Sequence, residues 1–492
     1  MTPARGVHGG LRIDAHKERS TRQPIRAARL PEQVVLPLDQ HAGAPSTPIV
    51  KPGDRVLRGQ PVAAPSDATS AWLHASISGT VQCIEPRPAP HRLGAPSDSI
   101  VIASDGRDTA ADRDEAARDF TTLDAAALRE HIACGGIVGL GGAAFPTARK
   151  LQTVEHAASM QLLINGAECE PYISCDDSLM RERAADIVLG ARILMHALSA
   201  QSATFALEDD TPAAYAAMQT ALTAAGDDRL RLAVVPSVYP AGGERQLIAT
   251  VFGLEVPFDG LPRDIGIVCQ NVGTAAATAR WVRDGEPLIS RVVTITGDGV
   301  TDACNIEARI GTSIAELIAQ CGGYTARVQR LLMGGSMMGT SLPHDGLPIV
   351  KATNCVVAAS TLDLQPRGAQ MPCIRCGDCA DVCPAHLLPQ QLHWFAQRAD
   401  VEQLTRHALL DCIECGCCDY VCPSQIPLAE QFRETKPLLL RGVHAQELAD
   451  AARTRLEQRT ARLARLENEQ RARLEEKRRQ ARERSSSTPR EQ

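Results

Sequence analysis

Eight cysteines fall in two runs of one spacing. Cys373, Cys376, Cys379 and Cys383 are followed by Pro384, and Cys412, Cys415, Cys418 and Cys422 by Pro423. Both runs fit C-x2-C-x2-C-x3-C-P, the ligand pattern of a [4Fe–4S] cluster. Three thiolates two residues apart wrap three iron corners of one cubane, and the fourth reaches the other cluster. The spacing therefore groups Cys373, Cys376 and Cys379 with Cys422, and Cys412, Cys415 and Cys418 with Cys383. A lone C-x2-C would fit a zinc site or a redox pair; two four-cysteine runs ending in proline fit neither. Cys417 lies between two ligands and is expected to pack rather than ligate. The chemistry is one-electron relay.

A second chemistry is suggested by glycines. Gly135, Gly136, Gly139, Gly141 and Gly142 put five glycines in eight residues, and Lys150 follows. Such a loop turns backbone N–H groups towards one point, and a helix after it would complete an anion site with Lys150 as a point charge. It is neither the dinucleotide fingerprint nor the P-loop, and a plain flexible loop would share its composition. The apolar run 162–164 ends in Asn165, Glu168 and Glu170, polar groups where open α/β sheets bind ligands. A second glycine turn carries Gly242, Gly243 and Glu244. A further strand leads to Asn271 and Gly273.

These residues need elements to hold them. Helices at 185–198 and 212–225 alternate with strands at 204–207 and 230–236, which predicts a parallel sheet within an α/β domain over 120–290. Met195 and His196 read as core or rim. Residues 291–355 read as a small ubiquitin-like α+β module, with Met337 and Met338 packing. The cluster domain spans 360–430. Residues 1–110 comprise a solvated arm to residue 30, with His8 and His16, then short strands and turns. The latter resemble a barrel-sandwich (lipoyl-like) module; Ile77 stands where a carrier would present lysine, so a structural or docking module is expected rather than a carrier. Residues 107–120 read as a linker. Residues 435–492 read as a charged, solvated helix and a disordered tail from 485. Between 453 and 484 there are 12 Lys and Arg against 6 Glu, a basic helix for which anionic lipid or a partner is the other reading. The fold class is α/β multidomain.

Composition sets the outer bounds. A length of 492 residues implies several domains, and a net charge of −6 does not suggest nucleic acid. No stretch reaches the ~20 apolar residues of a membrane helix, and the N-terminus lacks signal-peptide order. Most of the 17 cysteines outside the runs are scattered, as in a reducing compartment. A cytoplasmic protein is expected.

Gly139, Gly141, Gly142, Phe145, Pro146 and Lys150, with Asn165, Glu168, Glu170, Gly242 and Glu244, resemble the flavin- and NADH-binding subunit of respiratory NADH dehydrogenase. With the barrel-like module and the double cysteine run, the order over about residues 5–430 is similar to the C subunit of the Rnf/Rsx ion-translocating electron-transport complexes. The resemblance implies FMN on the 135–150 loop, contacted by Gly139, Gly141, Gly142, Lys150, Asn165, Glu168, Gly242, Glu244 and Asn271. It implies NAD(H) over the flavin, with Glu170 as the catalytic contact, and a two-cluster ferredoxin domain. Integral membrane subunits would be partners, with ferredoxin a further candidate, and membrane contact would run through them at the cytoplasmic face of the bacterial inner membrane. The chain departs from the dehydrogenase pattern at Ala144, Ala167, Gly243 and Gln270. Those departures leave a second reading, an iron–sulfur relay and docking subunit without a working flavin site.

Overall fold

The computed structural model describes residues 6–90, 96–112, 119–152, 160–258, 260–364 and 368–486, with backbone alone at 443–447 and 484–486. They form two compact units, residues 1–390 with 411–428 and residues 391–410 with 429–492. None of the 17 cysteines is in a disulfide.

In the first unit, proline and glycine turns break the early chain into short strands. Gln33–Pro37, Pro96–Ser104, Gly79–Pro88 and Arg55–Val56 make one sheet, and Thr47–Pro48, Pro61–Ala64 and Leu73–His74 another. Val34 and Leu36 are buried with Val35 between them half-buried, the alternation of a half-buried strand, whereas Ile100, Val101 and Ile102 are buried without a break. Ile77 is wholly buried, and beside it Ser76 donates to the Ile310 carbonyl at 2.6 Å. The turn at 75–78 thus packs on the segment around Ile310.

The α/β domain holds a four-stranded sheet in the order Leu230–Val235, Ser202–Glu208, Gln161–Gly166, Ile267–Asn271, every pair parallel. Helices Ala184–Leu198 and Val272–Asp284 pack closely because Gly190 has no side chain; a Cβ there would lie 1.8 Å from the Ala275 carbonyl. Met195 is buried, and His196 bonds the Leu123 carbonyl from the rim. Helix Ala125–Cys134 is capped by Asp124, which accepts from the Ala127 N–H at 2.8 Å. Replacing Asp124 with alanine should cost about 1 kcal/mol, read as a lowered urea midpoint at constant m-value.

The next module differs from its expected bounds. Its mixed sheet runs Arg26–Ala27, Cys304–Arg309, Ser290–Thr296, Cys355–Ala359, Arg330–Met333, Thr340–Leu342, with helix Ile314–Gln320 in the same segment. The strand Cys355–Ala359 carries the module beyond 355. Residues 6–30 are likewise not a solvated arm. Arg26 and Ala27 pair parallel with Ile306 and Glu307, and Leu11 bridges Tyr239. Ladder bonds use backbone groups that every residue carries, so polar side chains did not reveal this pairing.

In the second unit, Leu392, Leu404, Phe432 and Leu439 are buried. Helix Leu428–Ser486 runs for 59 residues. It includes the start of the expected tail, whose remainder, 487–492, lies outside the described residues. Among the described residues no helix is long and apolar enough to cross a membrane.

Candidate functional site

The chain leaves strand Gln161–Gly166 towards one side of the sheet and later returns on the other side with Ile267–Asn271. That is a topological switch point, and the crevice beyond the strand ends there is where open α/β sheets take ligands. Asn165 and Asn271 are register partners at its mouth. Asn165 donates to the Gly242 carbonyl at 2.9 Å and accepts from the Ala167 N–H at 3.0 Å. Asn271 caps helix Val272–Asp284 through the Gly273 N–H and donates to Asp176 at 2.5 Å.

The glycine loop lies against this mouth. A Cβ on Gly141 would meet the Asn271 side chain at 3.5 Å, and Gly142 has a φ of 108° with open space around it. Gly139 closes the loop by bonding Phe145 and Ala144 through its backbone. The helix after the loop, Thr147–Lys150, is a single turn. The N-terminus that meets the loop instead belongs to Val272–Asp284, whose Thr274 hydroxyl accepts from the Leu140 N–H at 2.9 Å. Lys150 donates to Glu244 at 2.6 Å and to the Cys269 carbonyl at 3.2 Å. At Gly242 a Cβ would lie 2.2 Å from the Ala167 carbonyl.

Two buried cations that sequence reasoning missed hold the loop from behind. Lys351 donates to the Gly136 and Trp72 carbonyls, each at 2.7 Å, and Arg291 donates to the Leu140 carbonyl at 3.2 Å. Burial pushes the Lys351 amine down to about 7. The loop carbonyls are thus turned inward. The backbone N–H groups of 141–143 make no hydrogen bond among the described residues. Unpaired, exposed backbone donors on a glycine-rich turn fit an anionic group such as a phosphate.

Glu168 points elsewhere. Its carboxylate accepts from the Asp176 and Asp177 N–H groups at 3.0 and 3.2 Å, at the start of helix Cys175–Glu182. Lys17, from the N-terminal segment, stands 4.0 Å from Glu168 and 3.7 Å from Glu208. Burial pushes Glu168 up to about 8 and Glu208 up to about 7, with Lys17 opposing both. Burial works against the Lys17 charge too, yet the two carboxylates outweigh it and raise its pKa. A folded Glu208 therefore holds its proton above its ordinary value of 4.5. Stability relative to the Glu208→Gln variant should fall from pH 4.5 to about 7 and stay level above that, which thermal melts across that range would show.

Glu170 is set apart from Lys150 and Glu244, on the side of the cysteine runs. Its Oε1 accepts from the Met337 and Met338 N–H groups at 2.7 and 3.0 Å, while its Oε2 is buried without a partner. Gly335 has to be glycine, since a Cβ would lie 2.1 Å from Glu170 Cγ. Burial raises the Glu170 pKa against those N–H groups. Met337 packs into a cluster with Tyr239, Cys415 and the fully buried Cys417. The Tyr239 hydroxyl donates to the Cys415 carbonyl at 2.6 Å. One short loop, 168–170, thus connects the crevice to the second cysteine run.

The two runs repeat one backbone shape. Arg375 and Glu414 have φ of 59° and 58°, Gly377 and Gly416 of 97° and 76°, and His386 and Gln425 both of 54°. Left-handed non-glycine residues are strained and mark functional loops, and these recur at equal offsets from the cysteines. Cys383 has Cys415 and Cys418 as electrostatic neighbours, whereas Cys379 has Cys373 and Cys376. Eight thiols on loops of this shape fit two cubanes. The N-terminal segment is tied in here too: His8 stacks on His386 at 3.7 Å, and the Gly10 N–H donates to the Val382 carbonyl.

Comparison with known proteins gives four family matches. Residues 5–107 match the RnfC barrel sandwich hybrid domain, 132–280 the Nuo51 FMN-binding domain, 292–341 the SLBB domain and 372–426 the 4Fe-4S dicluster domain. Relatives that match along nearly the whole chain are described as the C subunit of an ion-translocating oxidoreductase complex. One from Pseudomonas aeruginosa is 48% identical over 465 residues, 94% of this chain and 60% of that protein. One from Cronobacter sakazakii is 43% identical over 468 residues, 95% of this chain and 59% of that protein. One from Haemophilus influenzae is 42% identical over 459 residues, 93% of this chain and 70% of that protein. The chain thus spans about 60% of the length of the first of these relatives.

Proposed function

Because the chain belongs to the family of C subunits of ion-translocating oxidoreductase complexes, we propose that it is the peripheral electron-transfer subunit of such a complex. It would move electrons between NAD(H), FMN and two [4Fe–4S] clusters, to or from integral membrane subunits at the cytoplasmic face of the inner membrane. Ferredoxin is a further candidate for the far end of the route. The carrying observation is a glycine loop with unpaired N–H groups at 141–143, lying against Asn271 at the switch point of a parallel sheet, with Lys150 bonded to the Cys269 carbonyl of the same strand.

When bound, FMN supplies the change between two-electron and one-electron chemistry, and the cubanes supply one-electron steps. The residues supply placement. Gly139, Gly141 and Gly142 shape the cradle, and Lys150 offers the charge. Asn165, Gly242 and Asn271 set the strand ends, with Glu244 orienting Lys150. Glu168 fixes the helix behind them. Glu170, held by the Met337 and Met338 N–H groups, would be the contact to the nicotinamide. Cys373, Cys376, Cys379 and Cys422 would hold one cluster, and Cys412, Cys415, Cys418 and Cys383 the other. The N-terminal barrel-sandwich module would serve a structural or docking role, and the mixed sheet around Ser290–Thr296 is read as ubiquitin-like.

A relay without flavin is the second reading, favoured by Lys150 already being paired with Glu244. Flavin released from anaerobically purified protein separates the two. About one FMN per chain supports the first reading, and iron without flavin, even after incubation with FMN, supports the second.

A further inference from the structure

Helix Leu428–Ser486 presents a face whose residues are sorted by type. At about 100° per residue, residues 448–483 can be placed around the axis. Every leucine in that stretch, Leu448, Leu456, Leu463, Leu466 and Leu474, falls within one sector about 120° wide. Each is exposed, from 48% to 64%. Arg455, Arg459, Arg462, Arg473 and Lys477 share the sector. None of the seven acidic residues of the stretch does. The remaining surface carries six arginines against those seven acids, close to neutral.

Pairing follows the same division. Arg453 pairs with Asp450, and Arg479 with Glu476 and Glu483, all outside the sector. The five cations inside it have no ion-pair partner among the described residues. A helix kept soluble by its charges alone needs no such sorting.

We propose that this face lies on an anionic lipid surface. The contact is made by the chain itself and is separate from any contact through membrane subunits. At 1.5 Å per residue the face is roughly 50 Å long, and it asks for a flat occupant with negative charge at its surface and an apolar layer just beneath. A bilayer with acidic headgroups has both, and leucines flanked by arginines suit binding in its interface. A second copy of the helix does not fit, because the two faces would set five cations against five.

The test is flotation of the full chain with vesicles of phosphatidylcholine alone or with about one-third phosphatidylglycerol, at low and high salt. One variant reverses the face, R455E/R459E/R462E/R473E/K477E. A control reverses five cations outside it, R453E/R465E/R471E/R478E/R482E, for the same change in net charge. Circular dichroism and iron content verify folding of both. A third variant, L456S/L463S/L474S, keeps the charge. We expect flotation with the anionic vesicles only, lost at high salt. It should drop more than tenfold in the face variant, severalfold in the leucine variant, and less than threefold in the control. Equal loss in face variant and control, or equal flotation with both vesicles, would overturn the proposal. So would no flotation at low salt, which would leave the face to an acidic protein.

Discussion

Substituting Cys373 with alanine should halve the iron of the anaerobically purified protein, from about eight to about four atoms per chain. Labile sulfide should fall in step. A cubane missing one of four thiolates loses its closed ligand set, and the residues next to Cys373 in sequence, Pro372 and Ile374, offer no ligand. The crossed grouping makes the result sharper. Cys422→Ala lies in the other run, yet should remove the same cluster as Cys373→Ala, so the double variant should keep about four irons. Cys383→Ala should remove the other cluster, and combining it with Cys373→Ala should remove both. Cys417→Ala should retain the full complement, since that thiol is buried among Tyr239, Cys415 and Met337. Equal iron in Cys373→Ala and parent would refute the ligand assignment.

Lys150→Met should weaken FMN binding by roughly ten- to a hundredfold, the worth of a charge-assisted hydrogen bond to a phosphate. Removing the ammonium also leaves the Glu244 carboxylate, now 2.6 Å from it, without its cation beside the anion cradle. Glu244→Gln lacks that repulsion, so the double variant should bind FMN better than Lys150→Met alone. Iron should stay at the parental value in all three, because no cluster cysteine touches Lys150. The readout is fluorescence quenching of added FMN by flavin-stripped protein. Unchanged affinity in Lys150→Met would remove that residue from the site.

What the sequence disclosed, and what it hid, divides by the range of the interactions. The cysteine runs were legible because a cubane is wrapped by residues a few positions apart. The parallel sheet was legible because its strands and helices alternate in short periodic segments, and the helix expected at 212–225 is Pro212–Ala225. The crevice was half legible. Asn165 and Asn271 stand at strand ends, where their types stood out, yet the helix meeting the glycine loop belongs to a segment about 130 residues later rather than to Thr147–Lys150. Lys17, Arg291 and Lys351 were invisible. Lys17 sits in a basic, polar stretch that reads as a solvated arm, and its partners Glu168 and Glu208 lie far along the chain. Lys351 follows Ile349 and Val350 and carries no motif; its worth comes from two carbonyls brought close by three different modules. Glu170 was legible as a polar strand-exit residue, but its link to the Met337–Met338 backbone depends on a loop from another module.

The most direct measurement is a stepwise anaerobic titration of the purified chain with NADH, followed at the flavin absorbance band and then in the broad iron–sulfur absorbance. An electron-entry subunit should bleach at the flavin band first, with the cluster absorbance following in the same sample, and Lys150→Met should need roughly ten- to a hundredfold more added FMN to show both responses, while keeping its iron. Full iron and bound flavin with no change at either band on adding NADH would contradict electron entry at this site.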